Sequence, residues 1–204
     1  MKKMSLSLVA LLKSHGLRFF TSGDFIGLSG LTPGATTQNL RRMAARGLLA
    51  KLKRGLWANL LAPGLRLAEA LPQLTSPWPS CVSLHTALFE SGVLAEAPPL
   101  LYGVTAGPPR LFRTPLGDAR CHHLPPRLLF GFGPRRAGEA TWFAAEPEKA
   151  LLDLAYLSLI PRSPVRFPAL RPGHRRLDRA KLAAYAKRFR YPRLRVFLKA
   201  KKLL

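Results

Sequence analysis

Residues 31–59, LTPGATTQNLRRMAARGLLAKLKRGLWAN, constrain the fold more than any other stretch. Thr32-Pro33-Gly34 reads as a turn, and Ala35 to Arg46 is free of Gly and Pro, as a helix requires. Leu40, Met43 and Gly47 recur at i, i+3 and i+7, with Thr36 four residues ahead of Leu40, so one narrow face packs inward. Thr37, Gln38, Arg41, Arg42 and Ala45 fall on the opposite face. Gly47 stops the helix. Leu48 to Leu52 then reads as a strand, Lys53-Arg54-Gly55 as its turn, and Leu56 to Asn59 as the returning strand. A helix with a Gln/Arg face followed by a basic hairpin is the layout of a recognition helix and its wing. The major groove admits a helix, and the forked donors of Arg and Gln suit guanine and adenine edges. The expected DNA contacts are therefore Thr37, Gln38, Arg41 and Arg42 on the helix, with Lys51, Lys53 and Arg54 along phosphates. The plainer alternative is a surface helix with solvated charges.

The distribution of charge supports a polyanionic partner. The chain of 204 residues carries a net charge of +23. Residues 1–62 hold 10 basic residues and one acid, Asp24; residues 63–160 hold 8 of each; residues 161–204 hold 15 basic residues and one acid, Asp178. Two basic ends around a neutral middle fit contacts to nucleic acid made by the ends. An acidic protein or a membrane surface would match the same charge. Two cysteines, Cys81 and Cys121, form no disulfide framework and suit a reducing cytoplasm. The start, MKKMSLSLVALLK, imitates a signal peptide, but Lys13 interrupts it and no small-x-small cleavage site follows. The longest stretch without charge, 70–89, is broken by Pro72, Pro77 and Pro79 and does not read as a membrane span.

Around the recognition stretch the order of elements is consistent. Ser5 to Ser14 is a short amphipathic helix, Phe19-Phe20 an apolar step, and Thr21 or Ser22 caps a second helix that closes near Gly30. Helix, helix, helix and hairpin within about sixty residues is the winged helix-turn-helix order, and it sets a first domain at residues 1–62. Residues 63–80 form a Pro-rich connector whose Leu65, Leu67, Leu71 and Trp78 should pack rather than stay in water. Residues 81–204 form the second domain: a helix from Ser83 to Gly92 capped by Ser83, then extended runs at 100–105, 110–113, 119–124, 128–132 and 141–144, read as a small, largely antiparallel sheet. The run EPEKALLDLAYLSLI is a helix with Ala150, Leu151, Leu154 and Leu157/Ser158 on one face. Residues 161–176 read as loop, Asp178 caps a basic helix to Arg190, and Arg193 to Leu204 is a last basic, amphipathic segment. The fold class is α+β: a winged helix-turn-helix, a small mixed α+β domain and a basic helical C-terminal tail. The tail's basic residues are expected on phosphates, with packing through Leu182, Tyr185, Phe189 and Phe197 as the rival role.

No enzyme chemistry emerges. In Cys121-His122-His123 adjacent strand residues point to opposite faces, so at most Cys121 and His123 could meet one ion, and no further ligand motif completes a site. Serine-hydrolase elbows and phosphate-cradling loops are absent. A nuclease would draw on Asp118, Glu139, Glu146, Glu148 and Asp153, with Lys149 nearby, but the acid-x-Lys spacing fails at Pro147. Helix-end electrostatics and a local ion pair are the simpler role for Glu148 and Lys149. No catalytic residue, metal or cofactor is expected.

The second domain resembles AbiEi-type antitoxins of type IV toxin–antitoxin systems. The resemblance rests on Val82-Ser83-Leu84-His85-Thr86-Ala87-Leu88 with Gly92, on Thr114-Pro115-Leu116-Gly117 and Leu129-Phe130-Gly131, and above all on Ala145-Glu146-Pro147-Glu148-Lys149-Ala150-Leu151-Leu152-Asp153-Leu154-Ala155-Tyr156-Leu157. Within that last run Glu148, Lys149, Leu151 and Asp153 are the signature positions. The resemblance spans roughly residues 5–160; the basic C-terminal forty residues depart from it. It implies a cytoplasmic, non-enzymatic abortive-infection antitoxin that represses its own operon by binding inverted repeats in double-stranded DNA. It also implies neutralisation of a cognate nucleotidyltransferase-like toxin, without a stable complex as the rule. A winged-helix regulator whose second domain senses a ligand or another protein is the alternative, and a nuclease is a more distant one.

Overall fold

The computed structural model describes residues 9–170 and 177–204. Residues 5–8 of the expected first helix and 171–176 of the expected loop and basic tail lie outside the described residues.

A run of small helices and a three-stranded sheet build the N-terminal unit. Residues 9–14 are helical (α1), followed by β1 (Phe19–Thr21), α2 (Ser22–Ser29), α3 (Pro33–Ala45), β2 (Leu49–Lys53) and β3 (Leu56–Asn59). Thr21 starts α2 through a reciprocal pair: its Oγ1 accepts from Asp24 N at 3.1 Å and its own N–H donates to Asp24 Oδ2 at 2.7 Å. Pro33 and Gly34 belong to the helix rather than to a turn before it. Thr32 is the cap, and Pro33 occupies the first helical position, where its missing N–H costs nothing. Phe19–Thr21 is a true strand, paired antiparallel with β3 in the order β1-β3-β2. Leu12, Phe20, Phe25, Leu40, Met43, Leu49 and Trp57 close a core between helices and sheet.

The larger unit is a six-stranded sheet with helices on one face. Its strands are β4 (Ser80–Val82), β5 (Leu101–Thr105), β6 (Arg110–Thr114), β7 (Gly117–His123), β8 (Phe132–Ala137) and β9 (Ala140–Ala145), in the order β6-β7-β5-β4-β9-β8. The expectation of a largely antiparallel sheet needs correction, because β5 pairs parallel with β7 and β4 pairs parallel with β9. Of the expected run 128–132 only Phe132 is in a strand, as the first residue of β8. A 3₁₀ turn at Pro126–Leu128 leads into β8, which runs through Gly133-Pro134. Pro134 is tolerated because β8 is an edge strand.

On one sheet face lie α5 (Leu84–Glu90) and α6 (Pro147–Leu159), with α7 (Arg179–Arg188) and α8 (Pro192–Ala200) against α6. Helix α6 was expected to bury one face. It is instead enclosed almost all round, with Glu148 to Ala155 and Leu157 buried. Leu182, Phe189, Leu194, Leu198 and Leu203 join the same core, so the apolar positions of the basic C-terminal segment pack.

The other sheet face is covered by the connector and by the N-terminal hairpin. A 3₁₀ turn (Leu67–Ala70) and α4 (Leu71–Thr75) contribute Ala68, Ala70, Leu71 and Leu74, which meet Val82, Phe112, Ala119, Cys121 and Trp142 of the sheet. Leu71 sits so closely on β5 that a Cβ at Gly103 would come within 2.7 Å of it. Trp78, expected to pack, shields Gly107 but stays 49% exposed. From the N-terminal side Ala50, Leu52, Leu56 and Ala58 enter this same cluster. Strand β3 therefore serves two cores, Trp57 facing one and its neighbours the other. Arg18 clamps the junction, with Nε 2.6 Å from Glu69 Oε2, NH2 3.0 Å from Glu69 Oε1, and further bonds to the carbonyls of Pro63 and Gly64.

Candidate nucleic-acid interface

Helix α3 presents the face that the spacing implies. Thr32 Oγ1 accepts from Ala35 N at 3.3 Å, and Gly47, at φ +70°, carries the chain away after the last turn. Thr36, Leu40 and Met43 are buried against the first core, and Thr37, Gln38, Arg41 and Arg42 are exposed on the outer side. Among the described residues Gln38, Arg41 and Arg42 make no side-chain hydrogen bond or ion pair, so their forked donors are unspent. Thr37 differs: its hydroxyl donates to the Pro33 carbonyl at 2.9 Å, which leaves the oxygen only as an acceptor.

The three hairpin cations do not act alike. Gly55, at φ +75°, makes the tight turn, with Arg54 exposed beside it. Lys51 is exposed, with Nζ 5.9 Å from the centre of the Trp57 ring. A β-bulge separates Lys51 from Lys53 and turns Lys53 toward the larger unit. There Lys53 Nζ donates to the Leu74 carbonyl at 3.0 Å, and burial together with Arg110 lowers its pKa. Sequence spacing grouped Lys53 with Lys51 and Arg54 because a bulge leaves no mark in composition.

The signature positions Glu148, Lys149, Leu151 and Asp153 come together, but inside the protein. Their exposures are 5%, 1%, 0% and 0%. Lys149 pairs with Asp153 one turn along α6, not with Glu148. Its Nζ lies 4.9 Å from the Phe130 ring centre and 5.5 Å from that of Phe189. Asp153 accepts a second bond, at 2.8 Å, from the Ser83 hydroxyl, seventy residues away in sequence. Ser83 was expected to cap α5; it makes no capping bond, and Leu84, at φ +55°, turns the chain into the helix instead. Burial raises the Asp153 pKa, while Lys149 and the Ser83 bond act against that rise. Glu148 Oε1 accepts from Asp178 N at 2.9 Å, and Glu146 holds Tyr185 and Lys181 at 2.7 and 2.9 Å, fastening α7 to α6. The Tyr185 bond and then Lys181 hold the Glu146 carboxyl below its usual range. Glu148, Lys149, Leu151 and Asp153 position elements, and their side chains are buried rather than presented at the surface. Sequence reading missed Ser83–Asp153 and Arg18–Glu69, since neither pair has a local signature.

The remaining chemistry-bearing residues are dispersed. Cys121 and His122 are buried on opposite faces of β7, and His123 Nδ1 lies 3.0 Å from the Gly107 carbonyl. Burial pushes the thiols of Cys81 and Cys121 up to about 12. Among the described residues no group of three or more His, Cys, Asp or Glu could hold a metal ion. The acids considered for a nuclease are each engaged elsewhere, with Glu139 near Arg18, Glu146 and Glu148 at the start of α6 bonded to α7 and its cap, and Asp153 bonded to Lys149 and Ser83. No helix of the described residues is long and apolar enough to cross a membrane.

Residues 7–59 match the model of a family described as transcriptional regulator, AbiEi antitoxin. The match covers α1 through β3, the elements that build and carry the exposed face of α3, and bears out the AbiEi resemblance. It ends before the signature helix. Comparison with curated proteins returns no match. The family supports an antitoxin and transcriptional regulator of abortive-infection systems, a regulatory rather than enzymatic kind of protein.

Proposed function

We propose, taking the AbiEi-regulator match as the premise, that this chain is a cytoplasmic, DNA-binding antitoxin of a type IV system. It represses its own operon through α3 and the hairpin tip, and it counters a nucleotidyltransferase-like toxin through its larger unit. In this proposal residues 1–62 read DNA, 63–80 connect, and 81–204 carry the antitoxin activity. The observation that supports it best is the unpaired Gln38, Arg41 and Arg42 face on a helix whose other side is fixed in a core. Bidentate Arg or Gln contacts to a base edge discriminate by about 1–3 kcal/mol. Arg41→Ala and Gln38→Ala should each weaken binding to the inverted repeats upstream of the operon by that amount and relax preference at one base position. Scrambled duplexes should be bound with little change. If both variants keep wild-type affinity for the specific duplex, α3 is not the reader.

The antitoxin half is tested separately. A full-length Arg41→Ala/Arg42→Ala chain, expressed from an unrelated promoter, should lose repression and still rescue growth when the neighbouring toxin is induced. A wild-type chain that gives no rescue would remove the antitoxin reading and leave a ligand-sensing regulator. That second reading has one observation in its favour. A cleft of about 290 Å³ is lined by Arg66, Arg135, Arg136, Glu90 and Trp142, a set able to hold a small anion. A melting temperature raised by millimolar nucleotides, and abolished in Arg135→Ala/Arg136→Ala, would support it.

A further inference from the structure

A groove lies away from α3, between the two C-terminal helices. It encloses about 880 Å³ and is lined from α7 by Lys187, with Arg190 just beyond, and from α8 by Arg195 and Lys199. All four cations are exposed and none is paired with a carboxylate among the described residues; no acidic side chain lines the groove. Between them the groove is apolar. Val196 is 70% exposed and Leu204 37%, the former the most exposed large hydrophobic side chain of the described residues. Arg195 and Lys199 stand one turn apart on α8, with Val196 beside them. Unpaired cations that rim an apolar floor are an incomplete surface: the cations repel one another, and the floor gains nothing from water.

We infer that this groove docks an acidic amphipathic segment of a partner protein, its apolar side chains on Val196 and Leu204 and its carboxylates on the flanking cations. Charge complementarity selects that occupant. The chain's own segments outside the described residues are basic, with Lys2 and Lys3 in one and Arg171, Arg175 and Arg176 in the other. A second copy offers no acidic patch. Asp24 and Asp178 cap helices, Glu69 and Glu139 hold Arg18, and Glu146, Glu148 and Asp153 are tied within the larger unit. Of the remaining acids, Glu90 ends α5, Glu96 lies in the loop that follows it, and Asp118 is on β7. Nucleic acid would satisfy the cations but not the floor. A duplex turns phosphates outward and offers apolar surface only as thymine methyls recessed in the major groove, and bases of a single strand stack best on aromatic rings. The one aromatic residue here, Tyr191, is engaged edge-on with Tyr156 and donates its hydroxyl to the Leu159 carbonyl. A helix laid in a groove, anchored by apolar side chains and oriented by charged edges, is the recognition mode that uses both features.

The inference does not depend on DNA reading, since the groove and α3 belong to separate cores. Its test uses the full-length chain and three fluorescent probes of equal charge: a synthetic peptide of Glu and Leu at helical spacing, a Glu-only peptide, and a single-stranded oligonucleotide. Anisotropy at near-physiological salt should show the Glu/Leu peptide binding at least about tenfold tighter than the Glu-only peptide, equivalent to about 1.4 kcal/mol. Val196→Asp and Arg195→Glu/Lys199→Glu should each weaken it by a similar factor or more. Both alter exposed positions, so the melting temperature should stay near wild type, and Val196→Asp alone carries the test if the charge reversal does not fold. Equal binding of the two peptides, or no effect of Val196→Asp, overturns the inference. Tighter binding of the oligonucleotide than of the Glu/Leu peptide, lost in Arg195→Glu/Lys199→Glu, overturns it too and makes the groove a nucleic-acid surface.

Discussion

Replacing Lys149 by Met asks whether the signature helix is held by charge or by shape. Met keeps most of the aliphatic volume between Phe130 and Phe189 but removes the ammonium. Asp153, with 0% exposure, is then left with the Ser83 hydroxyl as its only hydrogen-bond partner among the described residues. Removing one member of a buried ion pair costs about 3–5 kcal/mol, because the other charge stays desolvated. The loss should be pH-dependent. Burial already raises the Asp153 pKa, and without Lys149 the rise grows. The folded variant then binds a proton that the unfolded chain has released, so its stability falls as pH increases. Urea unfolding should therefore show the full deficit at about pH 8 and a smaller one near pH 5, where a proton neutralises the carboxylate. Lys149→Met/Asp153→Leu/Ser83→Ala removes every polar member and should recover most of the loss, as apolar replacement of buried pairs commonly does. A deficit under about 1 kcal/mol at the higher pH, or one of equal size at both, would refute this account of the network.

Salt titrations of DNA binding should distinguish the hairpin cations: Lys51→Ala and Arg54→Ala should each flatten the log–log slope by about 0.9, one phosphate apiece. Lys53→Ala should leave the slope unchanged and lower unfolding stability by roughly 1 kcal/mol through its lost bond to Leu74. Arg18→Ala strands Glu69, whose side chain is 7% exposed, and should cost about 2–4 kcal/mol by thermal unfolding, with Arg18→Lys an incomplete rescue because the fork is lost. His122 is pushed down to about 4 by burial, then by Arg120 and His85. Its unfolded form takes up a proton first on acidification, so the stability it supplies is present above the ordinary histidine pKa and is lost as pH falls from there through the folded value of about 4. Relative to His122→Phe, the wild-type chain should lose about 1–2 kcal/mol across that window after allowance for screening.

What was legible in the sequence was local. Period-3.6 spacing put Thr36, Leu40 and Met43 inside α3 and Gln38, Arg41 and Arg42 outside, and Gly55 marked the hairpin. The cap at Thr21 and the Asp178 cap of α7 follow from residue type next to a periodic run. Distant pairings were illegible. No periodicity tells β5 that its neighbour is parallel β7, because that partnership depends on where the intervening chain folds. Helix α6 reads as one-faced because Lys149 and Asp153 look polar; they are buried by virtue of each other, and Ser83 is drawn from its capping role by a carboxylate far along the chain. The setting of Lys53 was illegible for a related reason, since the register shift before it and its bond to the Leu74 carbonyl leave no local mark in the sequence.

The hairpin that serves two cores also limits how this architecture can be inherited. The outward residues of α3 touch neither core, so Gln38, Arg41 and Arg42 are free to vary, and a new target sequence can be acquired by point changes alone. Exchange of whole segments is a different matter. A crossover near residue 62 would join a foreign hairpin to this sheet, and its back face would have to match Leu71, Leu74, Phe112 and Trp142 in shape at the first attempt. Lineages of such proteins should therefore diversify their targets by drift at the reading face, and should rarely trade reading heads unless Ala50, Leu52, Leu56 and Ala58 travel together with the surface that receives them.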